Sequence, residues 1–146
     1  MFSRKYRIHA ALLLVSLLII FLPLYNEKPD EQKAQAAAAA AAEFLALVDA
    51  DKFAESYQRS AKLLKEKVSE QQWVEQLRKT RAVAGPLLGR SQKEISYSTT
   101  AQDSPEGEYI LILFDSNYQA KPGATETITL MLARDATWRV AGYFIK

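Results

Sequence analysis

The spacing of apolar residues changes once along this chain of 146 residues, from helical before Gly85-Pro86 to alternating after Lys93. A chain whose first half repeats near 3.6 and whose second half repeats at 2 segregates its helices from its strands. The expected fold is therefore α+β, with helices over 36–84 packed on a four-stranded antiparallel curved sheet over 91–146.

The helical half opens with seven consecutive alanines, Ala36 to Ala42, continuing into Phe44, Leu47 and Val48. Alanine is the best helix former, so a helix is expected there, either packed closely on a neighbour or serving as a tether. Asp49 or Asp51 caps a second, short helix carrying Phe53 and Tyr57. Lys62, Lys65 and Lys67 form a solvated face. The clearest local signal is Val68-Ser69-Glu70-Gln71-Gln72-Trp73. Ser69 and Gln72 make a capping box, and Val68 with Trp73 makes a hydrophobic staple, so a helix starts at Glu70. Arg78, Lys79 and Arg81 crowd its last turns, where they complement the helix dipole or bind an anion, and Gly85-Pro86 ends it.

In the second half, Lys93–Thr99, Tyr109–Tyr118, Ala124–Arg134 and Thr137–Ile145 are rich in β-branched and aromatic residues. The turns between the first three are expected at Asp103–Gly107 and Lys121–Gly123. Both faces of Tyr109–Tyr118 are apolar, which places that strand centrally. Matching Ile128, Leu130 and Leu132 to Trp138 and Val140 sets Arg134 opposite Trp138, with Asp135-Ala136-Thr137 as a three-residue loop. The same register puts Thr127, Thr129, Arg139 and Tyr143 together on the other face.

Ahead of the helices stands a basic stretch with Arg4, Lys5 and Arg7, then sixteen uncharged residues, Ala10 to Tyr25. As a helix these span about 24 Å, close to a bilayer core once the flanks snorkel. No small-x-small site follows until Ala34-Gln35-Ala36, so residues 1–25 are expected to be an uncleaved membrane anchor rather than a cleaved signal peptide. Residues 26–35 are then a polar stalk and 36–146 a single domain. The basic flank places the N-terminus in the cytoplasm and the domain in the periplasm.

Composition excludes more than it assigns. The chain has 19 Lys and Arg against 17 Asp and Glu, but 26–146 carries 16 against 17, so the folded part lacks the positive footprint of a nucleic-acid binder. It has no cysteine, and its one histidine is His9. Thiol and imidazole chemistry are absent from the body, phosphate-binding glycine loops are missing, and no catalytic residue, metal or cofactor is expected. Asp115 and Glu126 on adjacent strands are a conceivable carboxylate pair, and Tyr109, Asp115 and Tyr143 the fallback residues of an isomerase- or hydratase-type cavity. The stronger expectations are a protein-interaction module of the bacterial envelope or a small-ligand pocket. The ligand candidates are Trp73, Tyr109, Glu126, Trp138, Arg139 and Tyr143, aromatics with a few polar tips. A homodimer through the sheet face stays open.

The order Phe44, Asp51-Lys52-Phe53, Ser56, Lys65, Val68-Ser69, Trp73, Arg81, Pro86-Leu87, Gly89-Arg90, Gly107-Glu108-Tyr109, Glu126-Thr127 and Trp138 to Ile145 resembles the bacterial family named domain of unknown function 4019. The resemblance covers about residues 36–146, with Ala136 at a turn position where glycine is expected. It implies a secreted or membrane-tethered domain, with no established activity and no catalytic residues to carry over. The expected architecture is similar to the cystatin-like or nuclear-transport-factor-2-like cone.

Overall fold

The computed structural model describes residues 27–101 and 103–146. Among the described residues, four helices precede four strands: α1 (Glu31–Asp49), α2 (Phe53–Gln58), α3 (Lys62–Lys67), α4 (Glu70–Ala84), β1 (Leu87–Ser98), β2 (Tyr109–Tyr118), β3 (Lys121–Leu132) and β4 (Trp138–Ile145). The strands form one antiparallel meander in the order β1-β2-β3-β4. The segment expected to be an anchor, 1–25, lies outside the described residues. Among those described, no helix is long and apolar enough to cross a membrane.

α1 begins five residues before the alanine run, inside the expected stalk. Asp30 caps it by accepting from the Lys33 backbone N–H at 2.8 Å, and Glu31 suits the positive end of the dipole. A charged helical first turn has the composition of a spacer, which is why the boundary falls earlier than expected. The alanines are not a tether: Ala37, Ala41, Phe44, Leu45 and Val48 form one buried stripe. Their small side chains bring the helix close to Ile110, Ile112, Ile128 and Leu130 of the sheet, in one core cluster. The helix ends in a Schellman motif, with Lys52 N–H on Leu47 O at 2.8 Å, Asp51 N–H on Val48 O at 3.1 Å and Asp51 at φ +59°.

α4 starts as expected. The Ser69 hydroxyl accepts from Gln72 N–H at 3.2 Å, and the Gln72 amide oxygen accepts from Ser69 N–H at 3.0 Å. Gly85 ends the helix at φ +76° and ψ −169°, a conformation open essentially to glycine alone.

β2 spans the expected residues and is central. β1 starts at Leu87, earlier than expected, and the β2–β3 turn falls on Gln119-Ala120, because Lys121 already pairs with Tyr118. The β3–β4 loop has the expected three residues, displaced by one. Ala133 N–H donates to Thr137 O at 2.8 Å, so Arg134, Asp135 and Ala136 make the turn and Leu132, not Arg134, faces Trp138. Asp135 pins it by accepting from the Thr137 N–H at 3.2 Å and hydroxyl at 2.6 Å. A shift of two residues leaves the apolar faces matched.

Ala136 occupies the left-handed position of that loop at φ +63°. Its Cβ strains a conformation that glycine adopts freely. Ala136→Gly is expected to stabilise the domain by about 0.5–1 kcal/mol and raise the melting temperature by a few degrees in a thermal scan.

Two register shifts decide which side chains share a face of the sheet. Lys93 in β1 and Ala141 in β4 are extra residues without a direct partner on the neighbouring strand. Each such bulge reverses which face the residues beyond it occupy.

Candidate functional site

The Ala141 bulge turns Tyr143 onto the helix-facing side, opposite Ile128 and diagonal to Glu126. The Lys93 bulge does the same for Arg90, which faces Ser116 of β2. Without the two bulges, Arg90 and Tyr143 would lie on the far face. With them, Arg90, Ser116, Glu126 and Tyr143 meet under the C-terminal ends of α1 and α4, which add Asp49 and Arg81.

Glu126 is at the centre and 0% exposed. Arg90 grips it with two bonds, Nε to Oε1 at 2.6 Å and Nη2 to Oε2 at 3.2 Å. The Ser116 hydroxyl donates to Oε1 at 2.5 Å, and the Tyr143 hydroxyl donates to Oε2. The outer side of Arg90 holds Asp49, with Nη1 to Oδ2 at 2.8 Å and Nη2 to Oδ1 at 3.0 Å, and Arg81 Nη1 reaches the same Oδ1 at 2.9 Å. Tyr118 stacks under Arg81, its ring centroid 4.9 Å from the guanidinium carbon, and accepts from both arginines. Two guanidinium and two carboxylate groups balance, so the cluster is neutral.

This satisfaction decides the chemistry. Burial pushes the Glu126 carboxyl upward, but the hydrogen bonds from Arg90, Ser116 and Tyr143 and the Arg90 charge outweigh it and hold it below its ordinary 4.5. Asp49 behaves likewise: burial raises it, and Arg90 and Arg81 bring it below 3.8. Burial and then the Glu126 charge raise the Tyr143 hydroxyl well above its ordinary value. Each Glu126 oxygen already accepts two hydrogen bonds, so neither has a lone pair left for a substrate proton. The cluster holds balanced charge and ties six elements together.

Both carboxylates have folded values below their unfolded ones. Their stabilisation is therefore present above about pH 4.5 and is lost as the pH falls through the lowered values. Urea midpoints are expected to drop steeply below that pH in the native chain, and the drop is expected to be shallower once Arg90 is replaced.

The family model for the protein of unknown function DUF4019 matches residues 40–143. The chain belongs to this family. The DUF4019 match takes in every member of the cluster, from Asp49 to Tyr143. No curated protein and no solved structure matches the chain.

Within this DUF4019 domain, the six residues expected around a ligand fall in three places. Glu126 and Tyr143 meet in the charged cluster. Trp73 and Trp138 are buried in the core: the Trp73 Nε1 donates to Ser56 Oγ at 3.0 Å, and Phe44 lies between Trp73 and Tyr143, with centroids at 6.2 Å and 5.3 Å. Tyr109 and Arg139 point to the other face, where the Tyr109 hydroxyl donates to Pro105 O at 2.5 Å and Arg139 pairs with Asp135 at 3.2 Å. Asp115 is no partner of Glu126. It stands opposite Thr125, on the far face, and pairs with Lys93 at 3.7 Å. Arg139 and Tyr143 are likewise separated, because the Ala141 bulge lies between them. Sequence reasoning offered Arg81 only as a helix-dipole or anion-binding cation, and missed Asp49, Arg90, Ser116 and Tyr118 as site residues, although Arg90 stands among the residues that carry the family resemblance.

Three open grooves stand out among the described residues. One of about 940 Å³ runs between α3, the β1–β2 loop and the β3–β4 hairpin. Another of about 790 Å³ lies beside the charged cluster along Asp49, Phe53, Arg78, Arg81, Pro86 and Leu87. The third, about 290 Å³, sits on the other flank of α4. Of the six candidates, only Arg139 lines one of these grooves. Among the described residues, no group of three or more His, Cys, Asp or Glu side chains could hold a metal ion.

Proposed function

We propose that this chain is a membrane-tethered periplasmic domain of the bacterial envelope that works as a non-catalytic protein-interaction module. The observation that carries the reading is the contrast between interior and corner. The aromatic side chains that would have lined a pocket are all buried, and Trp73, Tyr109 and Tyr143 are hydrogen-bonded. Val83 and Leu88, 74% and 71% exposed, are the only large apolar side chains left exposed among the described residues, and both belong to the α4–β1 corner. Leu88 is itself an extra residue in the β1–β2 pairing, pushed out of the ladder. Large apolar side chains left in solvent are what a docking site requires.

The position of the corner fits a tether. Glu27, two residues beyond the expected anchor, pairs with Tyr97 near the far end of β1, through bonds of 2.8 Å and 2.6 Å. Lys33 and Tyr97 both hold Glu108 there, at 2.5 Å and 2.8 Å. Leu88 is nine residues back along β1, two of them extra in the ladder, so about 25 Å away, and the corner points away from the tethered end. Helices on a four-stranded meander also suit a cystatin-like or nuclear-transport-factor-2-like cone, and in this chain the filled interior leaves the surface to do the binding.

The test is affinity capture of the full chain from detergent-solubilised membranes, with mass spectrometry of proteins and extracted small molecules. The reading expects a protein that is recovered with the native chain and lost when Val83→Asp and Leu88→Asp are combined. Recovery of a small molecule alone, or of the same protein by both chains, overturns it.

A further inference from the structure

The 290 Å³ cleft is lined by Lys79, Thr80, Val83, Ala84, Lys121 and Ile145. Its apolar wall comes from Val83, Ala84 and Ile145, and its charge from the two lysines. No acid lines it, and neither lysine makes an ion pair among the described residues. Lys79, on the last turns of α4, complements the helix dipole. Lys121 begins a strand, where no dipole accounts for it. Arg78, also without an ion pair among the described residues, continues the positive rim toward the neighbouring groove. The Thr80 hydroxyl is spent on Gln76 O at 2.8 Å. Two like charges facing one apolar cleft repel each other until an anion sits between them.

We propose that this cleft receives an apolar side chain carried on an acidic segment of the protein partner, with carboxylates meeting Lys79 and Lys121. The inference rests on the interaction-module reading and names the chemistry of its partner. The cleft is at the small end of the roughly 300–1,000 Å³ of small-molecule pockets, which suits one side chain better than a whole ligand. A bilayer surface is the wrong occupant. The corner stands about 25 Å from the tethered end, and surface charge is screened within about 8–10 Å.

The experiment is selection of a random peptide display library on the full chain held in nanodiscs, with flotation on phosphatidylglycerol vesicles in parallel. Enriched peptides are expected to join an aromatic or aliphatic residue to two or more Asp or Glu. Their binding is expected to weaken about tenfold or more in Lys79→Glu/Lys121→Glu and in Val83→Asp, and to weaken with added salt. Neutral or basic peptides, no enrichment, or acidic peptides that bind the double variant equally well would overturn the proposal. Vesicle binding that needs the two lysines while no peptide is enriched also overturns it, assigning the patch to lipid. Peptides that depend on Val83 but not on charge overturn the acidic partner while leaving the corner as a docking site. Capture unaffected by Val83→Asp with Leu88→Asp sinks the underlying reading itself.

Discussion

Arg90→Met is expected to destabilise the domain by about 3–5 kcal/mol, because it leaves a buried carboxylate without its counter-charge. Glu126 has no exposed surface, and Arg90 makes two of its four hydrogen bonds while also holding Asp49. Ser116 and Tyr143 remain as donors but bring no positive charge. The loss approaches the total stability of many domains, which is about 5–15 kcal/mol, so the variant is expected to be largely unfolded in mild urea. Arg134→Ala is the control: this exposed arginine of the β3–β4 turn makes no ion pair among the described residues, and its loss is expected to stay within about 0.5 kcal/mol. A double-mutant cycle separates the charge pair from mere packing. Glu126→Gln is expected to cost clearly less in the Arg90→Met background than in the native chain, with a coupling of about 1–3 kcal/mol read from urea midpoints. Additive effects would show that Arg90 acts through its aliphatic stem.

The second large effect concerns the filled interior. Trp73→Ala is expected to destabilise by about 3–5 kcal/mol, since it empties the space between α2, α4 and Phe44. Trp73→Phe keeps most of the ring volume and loses only the bond from the indole N–H to Ser56 Oγ, so it is expected to cost about 1–2 kcal/mol. Ser56 stays satisfied in both variants through its own bond to Phe53 O at 2.6 Å. Equal losses for the two variants would mean that the hydrogen bond, not the packing, holds α4 in place. If Trp73 lined a ligand pocket instead, its removal would spare the fold and abolish binding.

Legibility in the sequence divides along physical lines. The start of α4 was legible because a capping box is a contact between residues three apart, written in Ser69 and Gln72 themselves. β2 was legible because a strand paired on both sides carries apolar residues on both faces. The three-residue β3–β4 loop was legible in length, and its left-handed residue was marked by the alanine standing where glycine is expected. The charged cluster was not, for one recurring reason. A bulge is weakly marked in side-chain type, here only by Gly142 beside Ala141, yet it reverses the face of the residues beyond it. Strict alternation through Lys93 and Ala141 puts Arg90 and Tyr143 on the far side of the sheet, and Asp115 then looks a better partner for Glu126 than Arg90. Asp49 and Arg81 depend on where two helices end over that sheet, which is a tertiary fact. The first turn of α1 was missed because Asp30, Glu31 and Lys33 serve a helix start as readily as a solvated spacer.

The central claim is that binding happens at the α4–β1 corner and not inside the domain. Photo-crosslinking in living cells tests it most directly, with a photoreactive amino acid placed in turn at Val83, at Leu88 and at Glu94, an exposed position on the far face of β1. The expected result is a discrete adduct containing a second protein from Val83 and Leu88 and none from Glu94. No adduct from the corner, or the same pattern from all three positions, would contradict it.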